Sequence, residues 1–190
     1  MPHIKLSKSF YGIQSAMAFR PEITPALNEL VQVLMYDKNS LTAAERELIA
    51  TYVSYLNDCY YCATIHGAIA AANLNGDDEL VKSVKADFQH ADISDKLKAL
   101  LVIAAKVQKG GKNVTTEDVA NAKIVGATDI EIHDTVLISA AFCMYNRYVD
   151  GLATTQPEDE SLYRERGRII AEKGYVSASK IYLEENAAVR

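Results

Sequence analysis

Apolar residues recur along this chain at helical spacing, and the alternating pattern of half-buried strands is nearly absent. Thr24 before Pro25 reads as an N-cap with proline in the first turn, after which Leu27, Leu30, Val31 and Leu34 share one apolar face. Thr42-Ala-Ala-Glu45 has the form of a capping box, and Leu48, Ile49, Tyr52, Val53 and Leu56 continue a second helix. Asn57 or Asp58 stands where a third would be capped; that helix carries Cys59 and Cys62, runs to about Asn73, and stops before Gly76. A short helix follows from near Asp77 with Leu80, Val81 and Val84 inward. A longer one, capped by Ser94, carries Leu97, Leu100, Leu101 and Ala104 to Gly110-Gly111. Thr116-Glu-Asp opens the next and Gly126 ends it. From Thr128 a long helix passes through Ile132, Val136, Ile138 and Phe142 to about Gly151. Pro157 then opens a charged segment expected to be helical in part, with Ile181, Tyr182 and Leu183 as a short docked piece.

The connections are short and no Ser/Gly/Pro-rich linker divides the chain. The pattern predicts an all-α fold: one domain over residues 1–190, a bundle of six to eight helices with its core at about 23–153 and a C-terminal extension at 154–190. Stretches 41–74 and 114–152 share an order of capped helix, turn and Ala-rich helix, too faintly to carry an argument.

With 49% apolar and 24% charged residues in 190, the chain has enough apolar material for a real core. A net charge of −5 and scattered basic residues exclude a phosphate-neutralising surface, so no nucleic-acid partner is expected. No apolar run approaches the roughly 20 residues of a membrane span, and the segment Met1 to Phe10 lacks the apolar stretch of a secretion signal. The expectation is a cytoplasmic protein without a membrane partner, where thiols are kept reduced. Three cysteines are too few for a disulfide framework. Two of them at i, i+3 read as catalytic or metal-binding.

Cys59-Tyr-Tyr-Cys62 falls at a predicted helix start, where unpaired backbone N–H groups and the positive end of the dipole favour a thiolate. The spacing also brings the two sulfurs within disulfide reach. His66, four residues after Cys62 and seven after Cys59, shares their stripe, and an imidazole there can take a thiol proton and return it to a leaving oxygen. Glu47 lies on the preceding helix; antiparallel packing across a short turn would let it orient His66. The predicted catalytic set is Glu47, Cys59, Cys62 and His66, with no metal and no bound cofactor.

These residues resemble a known family. Glu47, eleven intervening residues, Cys59-x-x-Cys62, three more and His66 match the signature of the alkylhydroperoxidase D-like proteins of the carboxymuconolactone decarboxylase superfamily. Leu41-Thr-Ala-Ala-Glu-Arg-Glu47, Val53-Ser-Tyr-Leu-Asn-Asp-Cys59 and Asn146-Arg-Tyr-Val-Asp-Gly151 are similar to its peroxidase-related branch. The resemblance covers about 23–153. It implies an all-α fold, homo-oligomers (dimer, trimer or hexamer), and cysteine-based reduction of hydroperoxides with electrons from an external dithiol donor. It also implies the roles: Cys62 attacks the peroxide, Cys59 resolves it as a disulfide, and Glu47 and His66 move the proton. One position departs from the best-known members, which have a histidine where this chain has Tyr61; tyrosine, with a pKa near ~10, is a poor base at neutral pH.

Other readings of the same residues stand beside this one. Cys59, Cys62 and His66 would make a zinc site if His90, His133 or Cys143 supplied a fourth ligand. Glu47 taken alone is a surface glutamate on a capped helix, and Cys143 in its apolar setting an inert core thiol. His3, His90 and His133 read as ordinary surface residues. Arg147 and Asp150 could pair within their helix at i, i+3, and Tyr60 and Tyr61 could line a substrate entrance or an oligomer contact. Alternative functions are a general protein disulfide oxidoreductase and, with no use for a paired thiol, a non-redox decarboxylase.

Overall fold

In the computed structural model, residues 1–187 are described, with side chains described through Tyr182; Leu183 of the expected docked piece has its side chain outside that set. The fold is all-α. Nine α-helices occur among the described residues: α1 (Ile13–Phe19), α2 (Thr24–Tyr36), α3 (Ala43–Leu56), α4 (Tyr60–Asn73), α5 (Asp78–Asp87), α6 (Asp95–Lys109), α7 (Thr116–Ile124), α8 (Asp129–Gly151) and α9 (Glu160–Ala187). That is one more than the upper end of the expected range. The unforeseen element is α1, which has seven residues and starts at Gly12 without a side-chain cap, so neither length nor capping announces it.

Most starts follow side-chain chemistry. Thr42, Thr115 and Thr128 each form a full capping box, with Glu45, Asp118 and Glu131 respectively, and Asp77 and Ser94 cap α5 and α6. Thr24 differs from expectation: it lies inside α2, and its hydroxyl donates to the Met17 carbonyl of α1 at 3.2 Å instead of capping its own helix. On α2, Val31 and Leu34 are buried while Leu30 stands exposed, so the inward stripe is narrower than the sequence pattern implies.

The main core is assembled from α2, α3, α4, α5, α6 and α8, with Met35, Leu48, Ile49, Val53, Leu100, Leu101, Ile103, Ile138 and Phe142 among its members. A second cluster surrounds the cysteines: Cys59, Tyr61, Cys62, Ile65 and Ile69 of the α4 segment meet Val149 of α8 and Tyr163, Ile170 and Ala178 of α9. The C-terminal segment is therefore one wall of that cluster, helical from Glu160 apart from a break at Gly174. Close approach is set by small residues, since a Cβ at Gly167 of α9 would lie 2.8 Å from the backbone carbon of Ala68 on α4. No helix among the described residues is long and apolar enough to cross a membrane.

Candidate active site

The turn between α3 and α4 places the first cysteine. Asp58 adopts φ 57°, the Cys59 N–H returns to the Ser54 carbonyl at 3.0 Å, and the Asp58 N–H to that of Tyr55 at 3.0 Å. This is the paired closure of a Schellman motif, with aspartate at the left-handed position that glycine more often fills. Asn57 and Asp58 are thus spent on ending α3, and the N-cap of α4 is Cys59 itself, whose carbonyl accepts the first helical bond from Ala63 at 2.9 Å. An amide chain secures the turn: Asn57 Nδ2 donates to Asn146 Oδ1 (2.7 Å), Asn146 Nδ2 to Ser54 Oγ (3.0 Å), and Gln108 Nε2 to Asn57 Oδ1 (2.9 Å). Asn146, in the α8 stretch noted for its family likeness, is in this way a clamp on the cysteine turn.

Cys59, Cys62 and Cys143 are free thiols, the first two buried. Cys59 is hydrogen-bonded to Cys62, and this bond, with burial behind it, pushes the Cys59 thiol far above its ordinary range. The expected effect of the helix start on Cys59 is overridden, because the proton it holds is shared with the second sulfur. A further contact joins Cys59 to Asp150 of α8, whose carboxyl burial raises above the usual carboxylate range. Asp150 is therefore not engaged as the i, i+3 partner of Arg147, which donates instead to the Cys143 carbonyl at 2.8 Å.

Glu47 is completely buried, which removes the surface-glutamate reading. Its Oε2 lies 2.8 Å from His66 Nδ1. A carboxylate only accepts, so the proton of this bond belongs on Nδ1 and Nε2 is left as the basic nitrogen. The imidazole is 12% exposed and is held edge-on against Phe142, ring centres 4.5 Å apart. Tyr175 of α9 completes the group: its hydroxyl donates to Glu47 Oε1 at 2.6 Å and lies 3.0 Å from His66 Nδ1. Tyr175 escaped the sequence reading because it sits far along a charged segment with weak periodicity. The one local signal is Gly174 before it.

Cys62 and His66 open together on a cavity of about 50 Å³, walled mainly by Ile13, Met17, Val31, Ile65, Phe142 and Ile170. Tyr61 lines it too, buried against Tyr163, and burial raises its hydroxyl to about 12, so it stays protonated and supplies no base. Tyr60 points out to solvent. Of the residues nominated as a fourth zinc ligand, His90 pairs with Asp87 (2.6 Å), His133 with Asp134 (2.8 Å), and Cys143 faces Asn57 (3.5 Å). No cluster of three or more potential metal ligands occurs among the described residues.

Residues 21–84 match the model of the carboxymuconolactone decarboxylase family. Among solved structures, the chain is similar to an alkylhydroperoxidase AhpD core, an uncharacterized peroxidase-related protein from Ralstonia eutropha JMP134, at 30% identity and a TM-score of 0.72 over 81% of this chain and 79% of that one. The chain belongs to the alkylhydroperoxidase D-like branch of this superfamily. An uncharacterized peroxidase-related protein from Silicibacter sp. TM1040 is 28% identical, with a TM-score of 0.72 over 80% of this chain and 78% of that one. No curated protein matches. The family model spans Glu47, Cys59, Cys62 and His66 of this alkylhydroperoxidase D-like chain, but ends well before Asp150 and Tyr175.

Proposed function

We propose that this protein is a cysteine-based peroxidase that reduces organic hydroperoxides, with Glu47, Cys59, Cys62 and His66 as its working residues. The observation that carries the reading is the shared cavity: Cys62 and His66 line one small apolar space, and His66 is anchored from behind by a buried carboxylate. Cys62 loses its proton to His66 Nε2 and attacks the outer oxygen of the hydroperoxide. The O–O bond breaks, an S–O bond forms, and the alkoxide takes the proton from His66 to leave as the alcohol. Cys59, already hydrogen-bonded to Cys62, then attacks the sulfenic sulfur; the S–S bond forms and hydroxide departs with the Cys59 proton as water. One hydroperoxide and two thiols give one alcohol, one water and one disulfide, and an external dithiol returns the two electrons. No bound cofactor takes part, and the setting is a reducing, cytoplasmic one.

Burial of both sulfurs and the small apolar cavity favour a peroxide over a protein disulfide as first substrate. Assembly into a homo-oligomer is part of the same reading, supported by Ile130, Leu137 and Met144, which stand exposed on α8 at seven-residue intervals. The test is stopped-flow titration of the reduced protein with tert-butyl and cumene hydroperoxide, with peptide mapping of the product. One peroxide consumed per chain with a Cys59–Cys62 disulfide is expected, and Cys143 stays a thiol. Insulin-disulfide reduction without peroxide consumption would replace this reading with the oxidoreductase one.

A further inference from the structure

The Glu47–His66 pair has a third member that comes from the other end of the chain. Gly174 interrupts α9 with φ 73° and ψ 173°, so the N–H groups that follow lack helical partners. Gln32 Oε1 of α2 meets two of them, accepting from Tyr175 at 2.7 Å and from Val176 at 3.4 Å. A Cβ at position 174 would approach that oxygen to 2.5 Å, so both the backbone angle and the space call for glycine. The break and its cap direct the Tyr175 side chain onto the relay. Its ring alone would serve packing: it stacks near His66 at 6.0 Å and meets Tyr36 edge-on at 5.8 Å. Phenylalanine would do as much. The hydroxyl, placed 2.6 Å from one carboxylate oxygen while His66 occupies the other, needs a different account.

We propose that Tyr175 is a positioning residue of the proton relay, whose hydroxyl donates permanently to Glu47 and thereby sets how tightly Glu47 holds the His66 proton. Burial and the Glu47 charge push the Tyr175 hydroxyl well above its ordinary range, so it stays a donor at every pH at which the enzyme works. A buried carboxylate with one bare oxygen concentrates its charge on the other and becomes more basic. It would then stabilise the imidazolium more strongly and slow the return of the proton to the alkoxide. The groups facing Glu47 are few. Tyr36 comes from α2, Arg46 from its own helix, His66 from α4 and Tyr175 from α9, with Tyr145 of α8 behind Tyr175. α5 and α6, the other helices against α3, add no further partner to Glu47 among the described residues. Arg46 turns its Nη1 to the Leu34 and Asp37 carbonyls, and Tyr175 is the one O–H donor to the carboxylate among the described residues.

This inference rests on the peroxidase reading for its purpose but is measured without turnover. The His66 imidazole titration is followed by NMR in the wild type, in Tyr175→Phe, and in protein carrying 3-fluorotyrosine at position 175; His66→Ala assigns the signal. The midpoint should rise by about one pH unit in Tyr175→Phe, and fall with 3-fluorotyrosine, which keeps the shape and strengthens the donor. Hydroperoxide reduction by Tyr175→Phe should be about tenfold slower, with the alkaline limb of its pH profile moved upward. A purely structural tyrosine predicts no opposed shifts. Midpoints that stay put, or that move the same way in both proteins, overturn the inference; should Tyr175→Phe fail to fold, the fluorinated protein alone decides by the sign of its shift. Opposed midpoint shifts without any peroxide consumption would uphold the Tyr175–Glu47–His66 coupling and discard the peroxidase reading instead.

Discussion

Glu47 and Glu131 are both shut off from water, at 0% and 1% exposure, yet their surroundings differ in kind. Glu131 receives Lys96 at 2.7 Å and Ser40 at 2.8 Å on one oxygen, and the N–H and hydroxyl of Thr128 at 2.7 and 3.0 Å on the other. Burial alone would raise its pKa; these four donors, one a cation, bring it down to about 2. Glu47 has a phenol, held protonated by burial, on one oxygen and the His66 imidazole on the other. The first carboxylate is fixed as an anion and ties α8 to α6. The second shares its proton-bearing partner with a cavity and a thiol. Burial of an acid therefore does not mark a site; a titratable partner that itself opens on a cavity does.

The largest effect that would break this contrast lies at the sulfur beyond His66. Cys62→Ser should abolish reaction with hydroperoxides, to at least about 10⁴-fold below wild type, since the attacking atom is gone. Cys59→Ser should react once and stall as a sulfenic acid that dimedone traps. The opposite pattern in mass-mapped products would make the helix-capping cysteine the nucleophile. It would also detach the reaction from the Glu47–His66 side of the cavity.

Next come the relay residues. Glu47→Gln and His66→Ala should each slow peroxide reduction by about 10²–10⁴-fold, the range of a positioned acid or base. The double variant should be hardly slower than either single, because groups acting as one unit are not additive. Glu131→Gln should reverse the balance. It lines no part of the cavity, so its rate should match wild type. Its loss of the Lys96 ion pair should lower stability by about 2 kcal/mol, or roughly 4–8 °C in Tm for a chain of this size. A Glu131 variant with slowed chemistry, or a Glu47 variant with normal rates, would dissolve the distinction.

Of the two glutamates, Glu47 was legible through its spacing to the cysteines and through family resemblance; for Glu131 the sequence pattern went no further than a long helix starting at Thr128. Neither route gave burial: Glu47 follows a capping box on a face that looks polar in sequence, and the residues that face it come from other helices, Tyr36 of α2, His66 of α4 and Tyr175 of α9. The helices themselves were readable because caps and glycines punctuate them. The missed parts are the ones built from distant segments. Cys59 became an N-cap because the preceding helix consumed Asn57 and Asp58 in its closure. Asp150 and Tyr175 reach the site from 91 and 128 residues away in sequence from Cys59 and Glu47, and no periodicity encodes such meetings. Gly174 is met by Gln32 of α2, 142 residues earlier in the chain, which likewise no local pattern announces.

The smallest effect concerns acid. A carboxyl whose folded pKa lies below its unfolded value adds stability that is complete above the unfolded pKa and is lost as pH falls through the folded one. For Glu131 the window runs from the ordinary 4.5 down to about 2. Asp118, held by Lys106 at 2.6 Å and by Thr115, is also lowered to about 2, but it stands nearer solvent, so added salt should erode its share first. Urea unfolding of wild type and Glu131→Gln, followed from pH 6 to pH 2 at high salt, isolates the buried residue. The stability gap between the two proteins should be constant down to about pH 4.5 and then close steadily toward pH 2. A gap that persists unchanged at pH 2 would mean that Glu131 contributes through packing and its cap geometry. Its charge would then have no part in the difference from Glu47, and the contrast between the two carboxylates would rest on the cavity alone.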